Sequence, residues 1–160
     1  MKTLVTGGAG FIGSHLVDAL TGRGDEVVVV DDLSSGKLEN LESGMAAGAR
    51  LVEGDIRDTA FIESTLEAER PSTVFHLAAQ SEVRRSIEQP TLDATVNVVG
   101  SVNLIEASQK IGLDRFVFAS TGGAVYGEGE RIDLPAAESI DVEPMCQYGL
   151  SKFVVEKYLE

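Results

Sequence analysis

One cysteine and no tryptophan stand among 160 residues. A lone thiol, Cys146, leaves no internal disulfide and no thiolate set for a metal. His15 and His76 have no ligand spacing, so they are expected at a helix surface and a strand end, and no metal site is expected. No apolar run reaches the ~18 residues of a membrane span. The first residues look superficially like a signal peptide, but glycines interrupt the apolar stretch and no small-residue cleavage site follows. Basic residues are scarce: 13 Lys and Arg face 26 Asp and Glu, a net charge of −13. Nucleic acid, which needs a basic surface, is not an expected partner. The expectation is a cytoplasmic protein that needs no membrane. No internal repeat, low-complexity tract or linker divides the chain, and 43% hydrophobic content suffices for one domain, 1–160, with a real core.

What is present is strongest at the start. Lys2 to Gly13 reads K-T-L-V-T-G-G-A-G-F-I-G, a β-branched run followed by Gly7, Gly10 and Gly13 and then a helical pattern. In a strand–turn–helix the first glycine reverses the chain, the second admits a pyrophosphate against backbone, and the third lets helix pack on strand. The helix N-terminus offers free N–H groups and partial positive charge to phosphates. The next strand, Glu26–Val30, ends at Asp31-Asp32, where an acid about 20 residues beyond the glycines holds the adenosine ribose hydroxyls. An acid there favours NAD over NADP, with Lys37 softening the preference.

Continuous apolar strands are expected at Thr3–Thr6, Val27–Val30, Arg50–Glu53, Thr73–Leu77 and Arg115–Ser120. Helices are expected at Phe11–Arg23, Thr59–Glu69, Thr91–Ile111 and Gln147–Leu159. This alternation predicts a doubly wound α/β fold with a parallel sheet. Lys37–Gly48 reads as a loop with a weak helix, and Glu128–Met145 as a long acidic loop at the carboxyl edge of the sheet. Lys152–Glu160 keeps a helical pattern with no stop signal, as if the chain were cut within a helix.

Tyr148 and Lys152 stand four apart, on one helix face. A lysine beside a tyrosine is expected to lower the phenol's pKa and make it a general base for an alcohol proton. Ser120 and Thr121, ahead of Gly122-Gly123, are hydroxyls suited to bond a substrate oxygen and relay its proton, or else to satisfy turn amides.

Six segments together carry a resemblance: Thr6–Gly13, Val30–Lys37, Glu53–Asp58, His76–Gln80, Asn97–Gly100 and Tyr148–Lys152. Through them the chain resembles the nucleotide-sugar epimerase/dehydratase group of the extended short-chain dehydrogenase/reductases, with its nearest likeness to the UDP-glucose 4-epimerases. The resemblance implies a Rossmann-type three-layer αβα domain, truncated before the last strands and the substrate lobe. It implies that Gly7, Gly10, Phe11, Ile12 and Gly13 hold the pyrophosphate of NAD. Asp31 takes the adenine ribose, with Asp32, Ser35 and Gly36 nearby, and Asp55 and Ile56 lie against adenine. Leu77, Ala78, Ala79 and Gln80 line the phosphate and nicotinamide side, with Asn97 in the same cofactor set and Ser120 near the nicotinamide ribose. Tyr148 is the base, Lys152 its electrostatic partner and ribose anchor, and Thr121 the assisting hydroxyl, with Ser120 the alternative because this loop is one residue longer than usual. A lysine that touches the sugar nucleotide in some relatives is Ser81 here; Arg84 or Arg85 compensates, or both are solvated.

Dehydratases of this group carry an acidic pair after the loop threonine, where this chain has Gly122 and Gly123. Water is hard to eliminate without an acid. The implied reaction is therefore 4-epimerisation of a UDP-hexose: Tyr148 takes the C4 hydroxyl proton, hydride leaves for NAD, and hydride returns to the other face of the 4-keto sugar. The alternatives are a dehydratase or reductase of the same group, or a catalytically silent NAD-binding module. The resemblance also implies a homodimer through the helices at Thr91–Ile111 and Gln147–Glu160, and little turnover by 160 residues alone.

Overall fold

A computed structural model describes residues 1–127 and 135–160. They group into two compact units, Met1–Ala79 with Asn103–Ala119 and Gln80–Val102 with Ser120–Glu160.

In the first unit five strands, β1 (Lys2–Thr6), β2 (Glu26–Asp31), β3 (Arg50–Glu53), β4 (Thr73–His76) and β5 (Arg115–Phe118), form a sheet in the order β3-β2-β1-β4-β5. All four pairings are parallel, with Val5 opposite both Val29 and Phe75. The chain builds outward from β1 on one side through β2 and β3, then crosses back to β4 on the other. That reversal beside β1 is the topological switch point at which doubly wound sheets bind ligands. Both central strands are nearly continuous runs of buried residues, as helices on each face require.

Helix α1 (Phe11–Gly22) buries Gly13, Val17 and Leu20, one stripe of a helical face. Val17 and Leu20 meet Val5, Val27, Val29 and Leu41 in a fully buried cluster. The span after β2 holds a 3₁₀ turn, Leu38–Leu41, and α2 (Glu42–Ala46), the weak helix expected there. Helix α3 (Thr59–Glu69) starts where the Asp58 carboxylate accepts the Phe61 N–H at 3.0 Å. Such a cap is worth about 1 kcal/mol.

The second unit is helical. Helix α4 (Val83–Glu88) precedes α5 (Pro90–Ala94), which opens on proline, the one residue that loses no bond at a first helical position. A π turn, Thr95–Val99, joins α5 to α6 (Gly100–Ile111), whose later turns belong to the first unit. The expected Thr91–Ile111 helix is thus one run with a widened turn at Asn97. Helices α7 (Gly122–Val125) and α8 (Gln147–Leu159) complete the unit.

Two expected strands stop short: β4 ends at His76 rather than Leu77, and β5 at Phe118 rather than Ser120. Helix α7 forms in the loop expected after the fifth strand, and α4 in a segment for which the sequence suggests no element. Of the expected Glu128–Met145 loop, residues 128–134 lie outside the described residues; the remainder carries no helix or strand. No helix among the described residues is long and apolar enough to cross a membrane.

Candidate functional site

The first unit carries the glycine turn. Thr6, at the end of β1, is fully buried; its hydroxyl meets His76 Nδ1 at 2.6 Å and accepts the Ala78 N–H at 3.2 Å. His76 is therefore a buried strand-end residue, and His15 is exposed on α1. Gly7 follows with φ +70°, and a Cβ on it would stand 2.6 Å from the Ala78 nitrogen. A Cβ on Gly13 would stand 2.1 Å from the Gly7 carbonyl oxygen, so α1 reaches the turn only because position 13 has no side chain. Gly10 differs: its nearest neighbour would be the Gly7 oxygen at 3.2 Å. Packing therefore demands glycine at 7 and 13 far more than at 10, leaving Gly10 the position where bareness serves approach from outside.

The turn is locked from β2. Asp31 is buried; one carboxylate oxygen accepts the Ala9 N–H and the other the Leu33 N–H, each at 2.9 Å. The Ala9 carbonyl accepts the Lys37 N–H at 3.0 Å and Asn40 Nδ2 at 2.7 Å. A Cβ on Gly36 would meet Ala9 Cβ at 2.8 Å and Asp31 Oδ1 at 2.9 Å. Asp31, Gly36, Lys37 and Asn40 thus clamp one buried alanine. Asp32 is exposed and closes its own turn on Ser34, and Ser35 is exposed.

Gly10 is the N-cap of α1, without a side-chain cap and without an acid in the first turn. Phe11 and Ile12 are 77% and 68% exposed. Two large apolar side chains beside uncapped helix amides fit an anionic group that carries a flat apolar body. Asp55 is engaged by Arg57, whose guanidinium holds its carboxyl below the usual range. Ile56 is buried, and its carbonyl accepts Asn103 Nδ2 at 3.2 Å. Leu77, Ala78 and Ala79 follow β4, all half-buried.

The second unit carries the hydroxyls and the ammonium. Tyr148 is half-buried on the first turn of α8, and Lys152, one turn on, is 2% exposed with its Nζ 5.9 Å from the Tyr148 ring centroid. Position 149 must be glycine, because a Cβ would stand 2.3 Å from the Ala124 carbonyl oxygen. That contact seats the start of α8 on α7. Thr121 hydrogen-bonds Tyr148, whereas Ser120, exposed, donates to Glu156 of α8. Of the two candidate hydroxyls, Thr121 is the one that reaches the phenol.

The electrostatics correct one expectation. Tyr148 is raised above its ordinary value, not lowered: burial is the leading cause, Asp93 and Cys146 add to it, and the Thr121 hydrogen bond opposes it. Lys152 is pushed down to about 8 by burial, against the pull of Asp93. The lysine remains protonated at neutral pH, and burial of the phenol leads the shift of Tyr148.

Asp93, Asn97 and Gln80 form a buried polar knot. Asp93 Oδ1 accepts Asn97 Nδ2 at 2.9 Å and Gln80 Nε2 at 3.2 Å, and Oδ2 accepts the Ser151 hydroxyl at 2.6 Å. Asn97 Oδ1 accepts the Gln80 N–H at 2.8 Å. The sequence reading misses Asp93, Asn40 and Gly149. An acid and an amide at positions 93 and 97, four apart on one helix, are the available signal for the first. Ser81 and Arg84 are exposed, and Arg84 pairs with Glu88 on its own helix. Arg85 is exposed as well. No cluster of metal-ligating side chains occurs among the described residues.

The family that matches is the NAD dependent epimerase/dehydratase family, over residues 3–160. The UDP-glucose 4-epimerase of Mycolicibacterium smegmatis is 47% identical over 160 residues, 99% of this chain and 50% of that protein. Among solved structures, UDP-glucose 4-epimerase from Thermotoga maritima with UDP-glucose superposes with a TM-score of 0.93 at 47% identity, covering 99% of this chain and 50% of that one. The UDP-glucose 4-epimerase of Thermus thermophilus, in complex with NAD, gives 0.91 at 45%, with the same coverage. The chain spans about half the length of the relatives it matches.

Proposed function

Because the chain belongs to the NAD dependent epimerase/dehydratase family, we propose that its glycine turn holds NAD and that Tyr148 carries the proton transfer of a UDP-hexose 4-epimerase in a protein of the family's full length. The observation that carries the cofactor assignment is the pairing of Gly10, less crowded than Gly7 and Gly13, with uncapped α1 amides at a turn clamped by Asp31. NAD, when bound, supplies the hydride acceptor and a positively charged ring.

The remaining chemistry belongs to this chain. Gly7, Gly10, Phe11, Ile12 and Gly13 hold the diphosphate. Asp31 takes the ribose on lone pairs left over from its two backbone bonds, with Asp32, Ser35 and Gly36 beside it. Asp55 and Ile56 face adenine, and Leu77, Ala78, Ala79, Gln80, Asn97 and Ser120 complete the cofactor set. Tyr148 takes the C4 hydroxyl proton, and Thr121 bonds its phenol and orients it. Lys152, protonated below about 8, is the cation that favours the phenolate. Since burial opposes that phenolate, Tyr148 works as a base only when positive charge accumulates beside it. Gly122 and Gly123 leave no carboxylate for elimination of water, which favours epimerisation over dehydration. Ser81 and Arg84 remain candidate substrate contacts.

A homodimer through the helical run Thr91–Ile111 and the helix Gln147–Glu160, and residence in the cytoplasm, belong to the same proposal. Exposed Val99, Leu150 and Tyr158 support the interface, and sedimentation tests it. The test of the activity is Tyr148→Phe in the full-length protein. NAD binding should stay nearly intact while conversion of UDP-galactose to UDP-glucose disappears. Equal loss of both would make Tyr148 a structural residue.

A further inference from the structure

We infer that Asp93 is the positioning residue of the second unit: one buried carboxylate ties the Gln80 loop, the π turn at Asn97 and the Ser151 face of α8 together, and supplies the counter-charge of Lys152. This rests on the reading of Tyr148 and Lys152 as the proton-transfer pair.

The geometry comes first. Asp93 has no exposed surface, and its two oxygens accept three hydrogen bonds from three separate segments. A fully buried carboxylate is costly unless it is both hydrogen-bonded and faced by a cation. Lys152, 2% exposed and adjacent in sequence to the bonded Ser151, is a buried cation that Asp93 pulls upward. Other charges on the elements packed against α8 lie in solvent: Glu82, Arg84, Arg85 and Glu88 at α4 are all exposed. The π turn and α7 carry none. On α8 itself Glu156 accepts the Ser120 hydroxyl, Lys157 pairs with Glu160, and Tyr148 and the N-cap Cys146 are neutral when protonated. Tyr158, also on α8, is exposed.

The charge shifts both members of the pair the same way, which favours the charged lysine and opposes the phenolate. Asp93 raises Lys152, keeping its amine protonated against burial, and it also raises Tyr148, opposing the phenolate. Removing it should therefore move both groups down together, an outcome that mere loosening of the helices does not produce.

Asp93→Asn is the test, since asparagine keeps the shape and an oxygen acceptor for Gln80 and Asn97 while losing the charge. The 160-residue chain, labelled with carbon-13 lysine, is titrated by NMR with no cofactor or substrate, and Lys152 is assigned by Lys152→Arg. Its midpoint should fall by about a unit or more, taking the protonated fraction at pH 7 from about nine-tenths to about half or less. Ser151→Ala, which removes one hydrogen bond and no charge, should leave the midpoint nearly in place. An unchanged Lys152 in Asp93→Asn, or an equal fall in Ser151→Ala, overturns the inference. If Asp93→Asn does not fold, the double variant Asp93→Asn/Lys152→Met should, because it removes both charges; its failure to fold also overturns the pairing. The readout needs no NAD, so it fails or succeeds separately from the proposed activity.

Discussion

The Asp31 carboxylate accepts the Ala9 amide proton at 2.9 Å across 22 residues of chain. The acid at the end of β2 thereby helps build the glycine turn. Asp31→Ala leaves the buried Ala9 N–H without its acceptor, a cost of about 1–3 kcal/mol. Thermal unfolding should shift down accordingly, the Ala9 amide should exchange faster with solvent, and NAD affinity should fall at least about tenfold. An unchanged exchange rate at Ala9 would remove Asp31 from the clamp.

Gly10 and Gly13 should separate under the same substitution. Gly13→Ala forces a Cβ to 2.1 Å from the Gly7 carbonyl, so α1 must back away from the turn. A loss of about 1–3 kcal/mol or more is expected. Gly10→Ala meets only one atom, at 3.2 Å, and should unfold close to wild type while losing NAD. Calorimetry with and without the nucleotide reads both quantities. A Gly10→Ala chain that binds normally would place the diphosphate elsewhere.

Thr121→Val should raise the Tyr148 midpoint further, because the Thr121 hydrogen bond is what opposes burial there. Ring-carbon NMR across alkaline pH follows the phenol, with Tyr148→Phe for assignment. Ser120→Ala should leave it in place, since that hydroxyl is donated to Glu156. A reversed pattern would return the assisting role to Ser120.

Lys152 makes stability pH-dependent in a defined sense. Its folded value of about 8 lies below the ordinary lysine value of 10.5, so between those limits the unfolded chain binds more protons. Stability from this group therefore rises with pH across that window. Wild type should gain about 2 kcal/mol on Lys152→Met between pH 7 and pH 10, measured by denaturant unfolding. A constant gap would mean that the buried amine titrates normally.

Strands β1 and β2 are legible in the sequence as β-branched runs, the other three as short apolar runs that alternate with helical patterns, and the glycine turn because each of its positions answers a distinct steric demand. Helix α7 is not, since Gly122-Gly123 has very low helix propensity and forms a helix only where Val125 and Ala124 are buried. The Tyr148 shift runs opposite to the sequence expectation for a related reason. Spacing shows that Lys152 shares its helix face, but burial of the phenol comes from tertiary packing, which the pattern does not display. Asp93 is not singled out in the sequence; its role emerges only when Gln80, Asn97 and Ser151 converge on it.

The central claim concerns the turn, and an NMR titration of the nitrogen-15-labelled chain with NAD addresses it directly. Saturable, one-to-one shifts should centre on the amides of Ala9 to Gly13 and on Asp31 to Gly36, and Gly10→Ala should abolish them. Absence of any response, or shifts confined to residues outside that turn, would contradict the account.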